Sequence, residues 1–450
     1  MSSANENGDA IMAVKVAKFG GTSMANAESI SQIASIIRAD EERKFVVVSA
    51  PGKRFSEDRK VTDMLYSCYH EVELNGECAE SFKKVRERFT RIVADLALDL
   101  DMDRYLDEVE SDINKYRSAE FTASRGEYLG AIIMAAVLDY TFIDAKEVML
   151  FNEDGEFDME HTNDVLSARL KKVGNAVIPG FYGSDPNGNI VTFSRGGSDV
   201  TGAVIARAVG ASVYENWTDV DGFMTADPRI VSNPKHIEKL SYRELRELAY
   251  MGANVLHPES IFPVRYSNIP INIRNTFNPT HKGTMIVPVG EIKETAHTIT
   301  GIAGKSGYST IFIEKSMMNK ELGFARRVLS VLEYYGVSFE HMPSGIDTLS
   351  LVVPDQELAG KEKSILDRIV KSVQPDHIEI LRGYSLIATV GHGMPFKVGT
   401  MSRLTTALSN AGVNIRMIDQ GYGEMNIIVG VNTNDYEKAV KAIYREFFHE

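Results

Sequence analysis

Val16-Ala-Lys-Phe-Gly-Gly-Thr-Ser23 sets a single lysine, Lys18, near the end of an apolar strand and follows it with two glycines and two hydroxyls. Glycines at a strand end let backbone N–H groups approach an anion without a Cβ in the way, and Lys18 adds a mobile charge. The octapeptide reads either as a phosphate-binding turn or as a tight turn with a solvated lysine. Beyond it, Ile30, Ile33, Ala34 and Ile37 recur at helical spacing. Strand signals return at Phe45–Ser49, Ala176–Pro179, Ser212–Asn216 and Ile271–Arg274, with helical stretches between them, Gly202–Val209 included. This alternation predicts an α/β domain of three αβα layers with a mostly parallel sheet, which binds ligands outside the carboxyl ends of its strands. Residues 63–140 read as nearly continuous helix, an excursion expected to form a lid over those strand ends.

At 450 residues, 44% hydrophobic and 25% charged, the chain has the make-up of a multi-domain globular protein rather than a disordered or fibrous one. A net charge of −13 argues against nucleic acid as a partner, because that affinity comes from clustered cations. Cys68 and Cys78 are the only cysteines, too few for a disulfide framework or a cysteine zinc site, which suits a reducing, cytoplasmic setting. No apolar run reaches the roughly 18 residues of a membrane span, so no membrane is expected. Residues 1–11 lack an apolar signal core and read as a disordered tail.

From about Thr298 the texture changes. Two segments beginning at Gly323 and Gly399, 76 residues apart, repeat one another, with coincidences at Arg327/Arg403, Leu332/Leu408, Gly336/Gly412 and Val337/Val413. Each copy reads as a helix closed by a glycine and flanked by strands, Ser309–Glu314 and Leu349–Val353 in one, Ser385–Val390 and Glu424–Val431 in the other. Two ferredoxin-like α+β modules are expected.

Three further segments carry chemistry. Phe193-Ser-Arg-Gly-Gly-Ser-Asp-Val-Thr201 stands at a strand-to-helix junction, where a helix start and glycines again favour an anion. There Arg195 can fork onto a carboxylate or phosphate, and Asp199 can hold Lys18 or join a Mg²⁺-bound water network; alternatively Ser198 or Asp199 is simply the helix cap and Arg195 a surface residue. Trp217-Thr-Asp-Val-Asp-Gly-Phe-Met-Thr-Ala-Asp-Pro-Arg229 is a turn-rich loop able to grip a nucleotide or to serve as a solvated connection. Glu127, in Ser124-Arg-Gly-Glu, reads as the start of an apolar helix, where a carboxylate also complements the helix dipole. His257, before Pro258, reads as a structural residue.

In order, Lys18-Phe-Gly-Gly-Thr-Ser, Val48-Ser-Ala-Pro, Gly126-Glu127, Arg195-Gly-Gly-Ser-Asp199, Trp217-Thr-Asp-Val and Val255-Leu-His-Pro258 resemble the aspartate kinases of the amino acid kinase family. The duplicated tail is similar to that family's pair of ACT modules. The resemblance implies an amino acid kinase domain over residues 12–293, a first ACT module over 294–384 and a second over 385–450. It also implies transfer of the ATP γ-phosphoryl group to the β-carboxylate of L-aspartate, the first step of lysine, threonine and methionine biosynthesis, with Mg²⁺ on the phosphates.

Catalytic roles then fall to Lys18 and to Asp199, which orients it. Substrate contacts are implied for Ser49, Thr62, Glu127, Arg195 and Ser198, and ATP contacts for Lys18, Phe19, Gly20, Gly21, Thr218, Asp219, Met224 and Arg229. Many relatives carry tyrosine where this chain has Met224 and lysine where it has Asn254. The tail is expected to bind an amino-acid effector, lysine first, through Met318, Phe339, Glu340 and Ser344, and to assemble a homodimer or homotetramer. Kinases of glutamate, acetylglutamate or a nucleoside monophosphate would share the glycine turns but not this combination of motifs with a paired tail. A non-enzymatic sensor would be expected to have lost Lys18 or Asp199. A fused dehydrogenase is not expected, for no Gly-x-Gly-x-x-Gly follows the tail.

Overall fold

A computed structural model describes residues 13–448 except 195, 254, 257, 293–297, 422 and 424. The expected tail at 1–11, and the readings made of Arg195, Asn254 and His257, lie outside the described residues. Two compact units are present. The first lies within Met1–Phe223, Glu238–Tyr242 and Asn254–Ile292, and the second within Met224–Ile237, Arg243–Ala253 and Lys293–Glu450. An unbroken first domain over 12–293 does not anticipate the two excursions into the second unit. Ala226 and Val231 belong there because they are buried in one apolar cluster with Ile299, Ile302 and Leu404.

The first unit opens with β1 (Lys15–Phe19), α1 (Ala27–Arg38) and β2 (Arg43–Val48). Asn26 starts α1 by accepting the Ser29 N–H at 2.9 Å, a side-chain cap of the usual kind. Four helices follow, α2 (Val61–Asn75), α3 (Ala79–Asp95), α4 (Met102–Tyr116) and α5 (Ala119–Leu138). Next come β3 (Thr141–Phe142), α6 (Met159–Leu170), β4 (Ala176–Pro179), the hairpin of β5 (Tyr182–Ser184) and β6 (Ile190–Thr192), α7 (Gly197–Val209) and β7 (Val213–Thr218). After β8 (Lys239–Ser241) the chain runs through α8 (Tyr242–Tyr250), which from Arg243 on belongs to the second unit, and the first unit finishes with α9 (Phe262–Tyr266), β9 (Ile271–Asn275) and β10 (Thr284–Val287).

Its sheet has eight strands in the order β3-β4-β2-β1-β7-β9-β10-β8. Pairing is parallel from β3 to β9; β10 runs antiparallel to β9 and parallel to β8. Strand alternation sends Ala17, Phe19, Val46, Val48, Val177 and Trp217 into a cluster with Ile33, Leu65, Phe82, Phe89, Leu106 and Leu129. The helical excursion is therefore a layer of the core and not the expected lid. Helices α2, α3 and α4 each carry an apolar stripe that can leave water only against its neighbours, and α5 is apolar nearly all round; these faces are buried together with the sheet face.

The second unit contains β11 (Gly301–Glu314), α10 (Phe324–Tyr334), β12 (Thr348–Pro354), α11 (Asp355–Leu358), α12 (Glu362–Val373) and β13 (His377–Val390). It continues through α13 (Thr400–Asn410), β14 (Ile415–Asp419), β15 (Asn426–Asn432) and α14 (Tyr436–Phe448), with an antiparallel sheet ordered β12-β11-β13-β15-β14. Both repeat helices stop alike. Gly336 and Gly412 take φ of 61° and 62°, and the next N–H groups, of Val337 and Val413, return to the carbonyls of Leu332 and Leu408 at 3.0 Å.

The modules do not divide at 384/385, however. Strands β11 and β13 pair from Gly301↔Val390 to Glu314↔His377, and Gly307 and Gly383 interrupt them at φ of 92° and 79°. On one side of that break Ile302 and Ile387 pack with Leu404, Val429 and Ile443; on the other Ile311 and Ile313 pack with Val328, Leu351 and Ile369. The second module thus draws its fourth strand from residues well before its own sequence repeat.

Candidate active site

The carboxyl ends of four adjacent strands converge on one place. Ser49–Gly52 follow β2, Gly20 and Gly21 follow β1, Thr218 and Asp219 close β7, and Gly180 follows β4. Lys18 is 8% exposed, on the sheet face opposite the Ala17 and Phe19 side chains, and its Nζ lies 2.5 Å from Oδ1 of Asp199 in the first turn of α7. The same Oδ1 accepts the Nδ2–H of Asn216 at 2.9 Å. Asn216 was not singled out from sequence, although strand alternation around Trp217 sends it to the Lys18 side.

The glycines are needed for close approach rather than for left-handed backbone. A Cβ on Gly21 would stand 3.0 Å from the Ala50 carbonyl oxygen, and one on Gly52 would stand 2.7 Å from the Gly21 carbonyl carbon. The Gly52 N–H donates to the Gly21 carbonyl at 2.8 Å, so the two turns lock backbone to backbone. Gly20 gives its N–H to the Trp217 carbonyl at 3.0 Å, and of the two amides expected to face phosphate it is the one already engaged. Phe19 is fully buried and stacks on Trp217 with centroids 5.8 Å apart, so its side chain belongs to the core.

Helix α7 starts at Gly196 rather than at Ser198 or Asp199. Gly196 has φ of 59° and no side chain caps the helix; the Asp199 N–H already returns to the Gly196 carbonyl at 2.9 Å, which leaves the N–H groups of Gly197 and Ser198 for a ligand beside Gly180. Ser198 is nearly buried against Gly180, where a Cβ would fall 2.6 Å from Oγ. Thr62 lies in the first turn of α2, whose Val61 N–H donates to the Pro51 carbonyl. At the other side of the mouth, Thr22 Oγ1 donates to Asp219 Oδ2 at 3.1 Å.

Glu127 does not stand at a helix start. It is in the middle of α5, 6% exposed, so the helix-dipole explanation fails. Gly126 and Gly130 let α5 sit directly on the Ser49–Pro51 turn, with a Cβ on Gly126 only 2.7 Å from that of Ala50. One oxygen of Glu127 accepts the Ala50 N–H, and Oε2 has no partner. Burial, opposed by that hydrogen bond and by the charge of Arg125, pushes its carboxyl up to about 8. A buried acid with an open oxygen at a ligand mouth is suited to receiving a cation.

Met224 and Arg229 fall in the second unit, where Arg229 is exposed and its guanidinium is held by Asp227 at 2.6 Å. Among the expected effector residues, Met318 is buried in a module core and Ser344 is exposed. Residues 340–344 run as an irregular edge along β12, with the Glu340 N–H on the Val352 carbonyl at 2.8 Å. Phe339 opens onto a groove of about 570 Å³ against α10, and Glu340 Oε2 accepts the Tyr250 hydroxyl at 2.6 Å. No group of acids, histidines and cysteines among the described residues is arranged to cage a metal ion.

Comparison with known proteins gives one answer at every level. Residues 13–275 match the model of the amino acid kinase family, and residues 387–447 match an ACT domain. The chain is 38% identical to Aspartokinase 3 of Bacillus subtilis over 97% of its own length and 99% of that protein's. It is 30% identical to the chloroplastic bifunctional aspartokinase/homoserine dehydrogenase 1 of Arabidopsis thaliana, spanning about half (51%) of that longer chain. Among solved structures, the aspartate kinase of Clostridium acetobutylicum superimposes with a TM-score of 0.91 at 50% identity, covering 97% of this chain and all of that one. E. coli aspartokinase III, in complex with aspartate and ADP, gives a TM-score of 0.76 at 25% identity, covering 97% of this chain and 100% of its own.

Proposed function

This chain belongs to the amino acid kinase family as an enzyme of the aspartokinase kind, and we propose that it transfers the γ-phosphoryl group of ATP to the β-carboxylate of L-aspartate. The products are 4-phospho-L-aspartate and ADP, and the step would open lysine, threonine and methionine biosynthesis in the cytoplasm. The observation that carries this reading is the Lys18–Asp199 pair, buried where two glycine turns and the bare start of α7 meet. The chemical difficulty is charge, since a carboxylate must attack a polyanion. The acceptor is already ionised at neutral pH and needs no base. Lys18 would stand against the moving phosphoryl group, and the α7 amides beside Ser198 would add fixed positive potential. Mg²⁺ would enter on the nucleotide, held by phosphate oxygens and water, and would screen phosphate charge.

Glu127 would receive the α-ammonium of aspartate, Arg195 would take its α-carboxylate, and Ser49, Thr62 and Ser198 would complete the pocket. Thr218, Asp219 and Gly21 would hold the nucleotide. A coupled ADP-release assay over a panel of amino acids tests the assignment. Activity with aspartate is expected, and turnover of glutamate alone would overturn it.

Because Glu127 is largely protonated at neutral pH when the site is free, binding an ammonium must expel that proton. The KM for aspartate is expected to fall about tenfold per unit as pH rises toward 8, then to level, and Glu127→Gln is expected to abolish the slope. Folding is linked in the opposite sense. The folded carboxyl, raised above its ordinary 4.5, keeps a proton that the unfolded chain releases, so stability drops as pH climbs through about 8. A pH-independent KM would remove Glu127 from the ammonium site.

For the tail, we assign an amino-acid effector, lysine first, to the Glu340 edge, and assembly into a homodimer or homotetramer to the ACT modules. Glu340 gives one carboxylate oxygen to the Tyr250 hydroxyl, which competes with an effector ammonium for its charge. Tyr250→Phe is expected to lower the half-inhibiting lysine concentration by about three- to tenfold, the worth of one net hydrogen bond. Unchanged inhibition would take Glu340 out of the effector site, and insensitivity of the parent enzyme would take lysine out.

A further inference from the structure

Asp199 is gripped by β7 at two points. Its backbone carbonyl accepts the Tyr214 hydroxyl at 3.1 Å, and its Oδ1 accepts the Asn216 amide at 2.9 Å while pairing with Lys18 at 2.5 Å. The register explains why. In the parallel pair β1·β7, Lys18 lies directly opposite Asn216, and the alternation that puts Phe19 and Trp217 on one sheet face puts Lys18, Tyr214 and Asn216 on the other, beneath α7. Gly202 permits the fit: a Cβ there would come within 2.6 Å of the Tyr214 ring and hydroxyl. Asn216 is 3% exposed.

We propose that Asn216 is a positioning residue for phosphoryl transfer, holding the Asp199 carboxylate so that Lys18 is presented to the transferring group rather than captured by its partner. The proposal rests on the kinase reaction proposed above. An ammonium placed between a carboxylate and a phosphoryl group divides its interaction between them. A neutral donor on the shared Oδ1 withdraws part of that oxygen's charge and fixes the carboxylate rotamer, leaving the lysine poised toward the ligand. Asparagine suits the task because it donates without adding charge. Leucine would keep the volume and lose the donor, whereas aspartate would keep the shape and set a like charge against Asp199.

Steady-state kinetics on the full chain with aspartate and Mg²⁺-ATP provide the test, together with urea unfolding followed by the fluorescence of Trp217, the only tryptophan. Asn216→Leu is expected to lower kcat by about tenfold to a hundredfold, the cost of a misplaced catalytic group, with both KM values within about threefold of the parent. Asn216→Asp should fall further, and Asn216→Ser, a shorter donor, should recover part of the loss. A kcat within twofold of the parent in Asn216→Leu would overturn the proposal, as would losses that follow the unfolding midpoint instead of the donor in all three variants. An inactive parent would instead overturn the reaction itself, and this proposal with it.

Discussion

Lys18→Ala is expected to lower kcat about a thousandfold while leaving the protein folded. Removal of one preorganised group aimed at developing charge costs about 10²–10³ in rate, and Lys18 stands at the strand end beside the glycine turn, paired with Asp199. The loss should appear in kcat more than in the KM for aspartate, because the lysine faces the moving phosphoryl group and not the amino acid. Folding should survive, since Asp199 keeps the Asn216 amide when its ion pair is lost. The ADP-release assay on both proteins decides it, and a variant within tenfold of the parent would dismiss Lys18 as the stabiliser of that group.

A second large effect is expected on the reverse face of β7. Glu215 is 3% exposed and accepts Arg43 Nε at 2.7 Å, Arg43 Nη2 at 3.1 Å and the Trp217 indole N–H at 3.0 Å, with Arg274 Nη1 a further 3.7 Å away. Both guanidinium groups also lie over the Trp217 ring, at 5.3 and 4.5 Å from its centroid. Glu215→Leu removes the acid shared by both guanidinium groups and leaves Arg43 only its longer 3.7 Å ion pair with Asp40. A buried pair broken on one side costs about 3–5 kcal/mol, so the urea midpoint read from Trp217 should drop substantially. The double variant Arg43→Met with Glu215→Leu is expected to regain much of that loss, because apolar groups of similar volume replace an ion pair at little net cost. An unshifted midpoint in Glu215→Leu would mean that the cluster adds nothing to the unit's stability.

Legibility from sequence varied with the range of the interaction. The strand at Ala176–Pro179 and the repeat helices were readable because their signals are local, an apolar run in one case and a closing glycine in the other. The hairpin of β5 and β6, and the short β8 and β10, escaped. Each is only three or four residues long, too short for a period to show against its surroundings. The helical nature of residues 63–140 was plain, but their place was not, because an amphipathic stripe states that a face is buried without naming what buries it. The split between the ACT modules misled for a related reason. From sequence only Ser309–Glu314 reads as a strand, the half that serves the first core, whereas β11 also runs back to Gly301 and gives that half to the second.

At the site, sequence by itself determined the chemistry available: a lysine at a strand end, glycine turns, an acid at a helix start and a glutamate after glycine, in an order that singled out one family. Residue type and order are local properties, written in the chain. Only the tertiary structure decided how those groups act on one another. It brought Lys18 within 2.5 Å of a carboxylate 181 positions away (199 − 18), placed Asn216 on the same oxygen through strand register, and moved Glu127 from a supposed helix end to a buried mid-helix position with one oxygen open. Distance, burial and the count of satisfied hydrogen bonds exist only once distant segments have packed, and the charge state and aim of a catalytic group depend on all three.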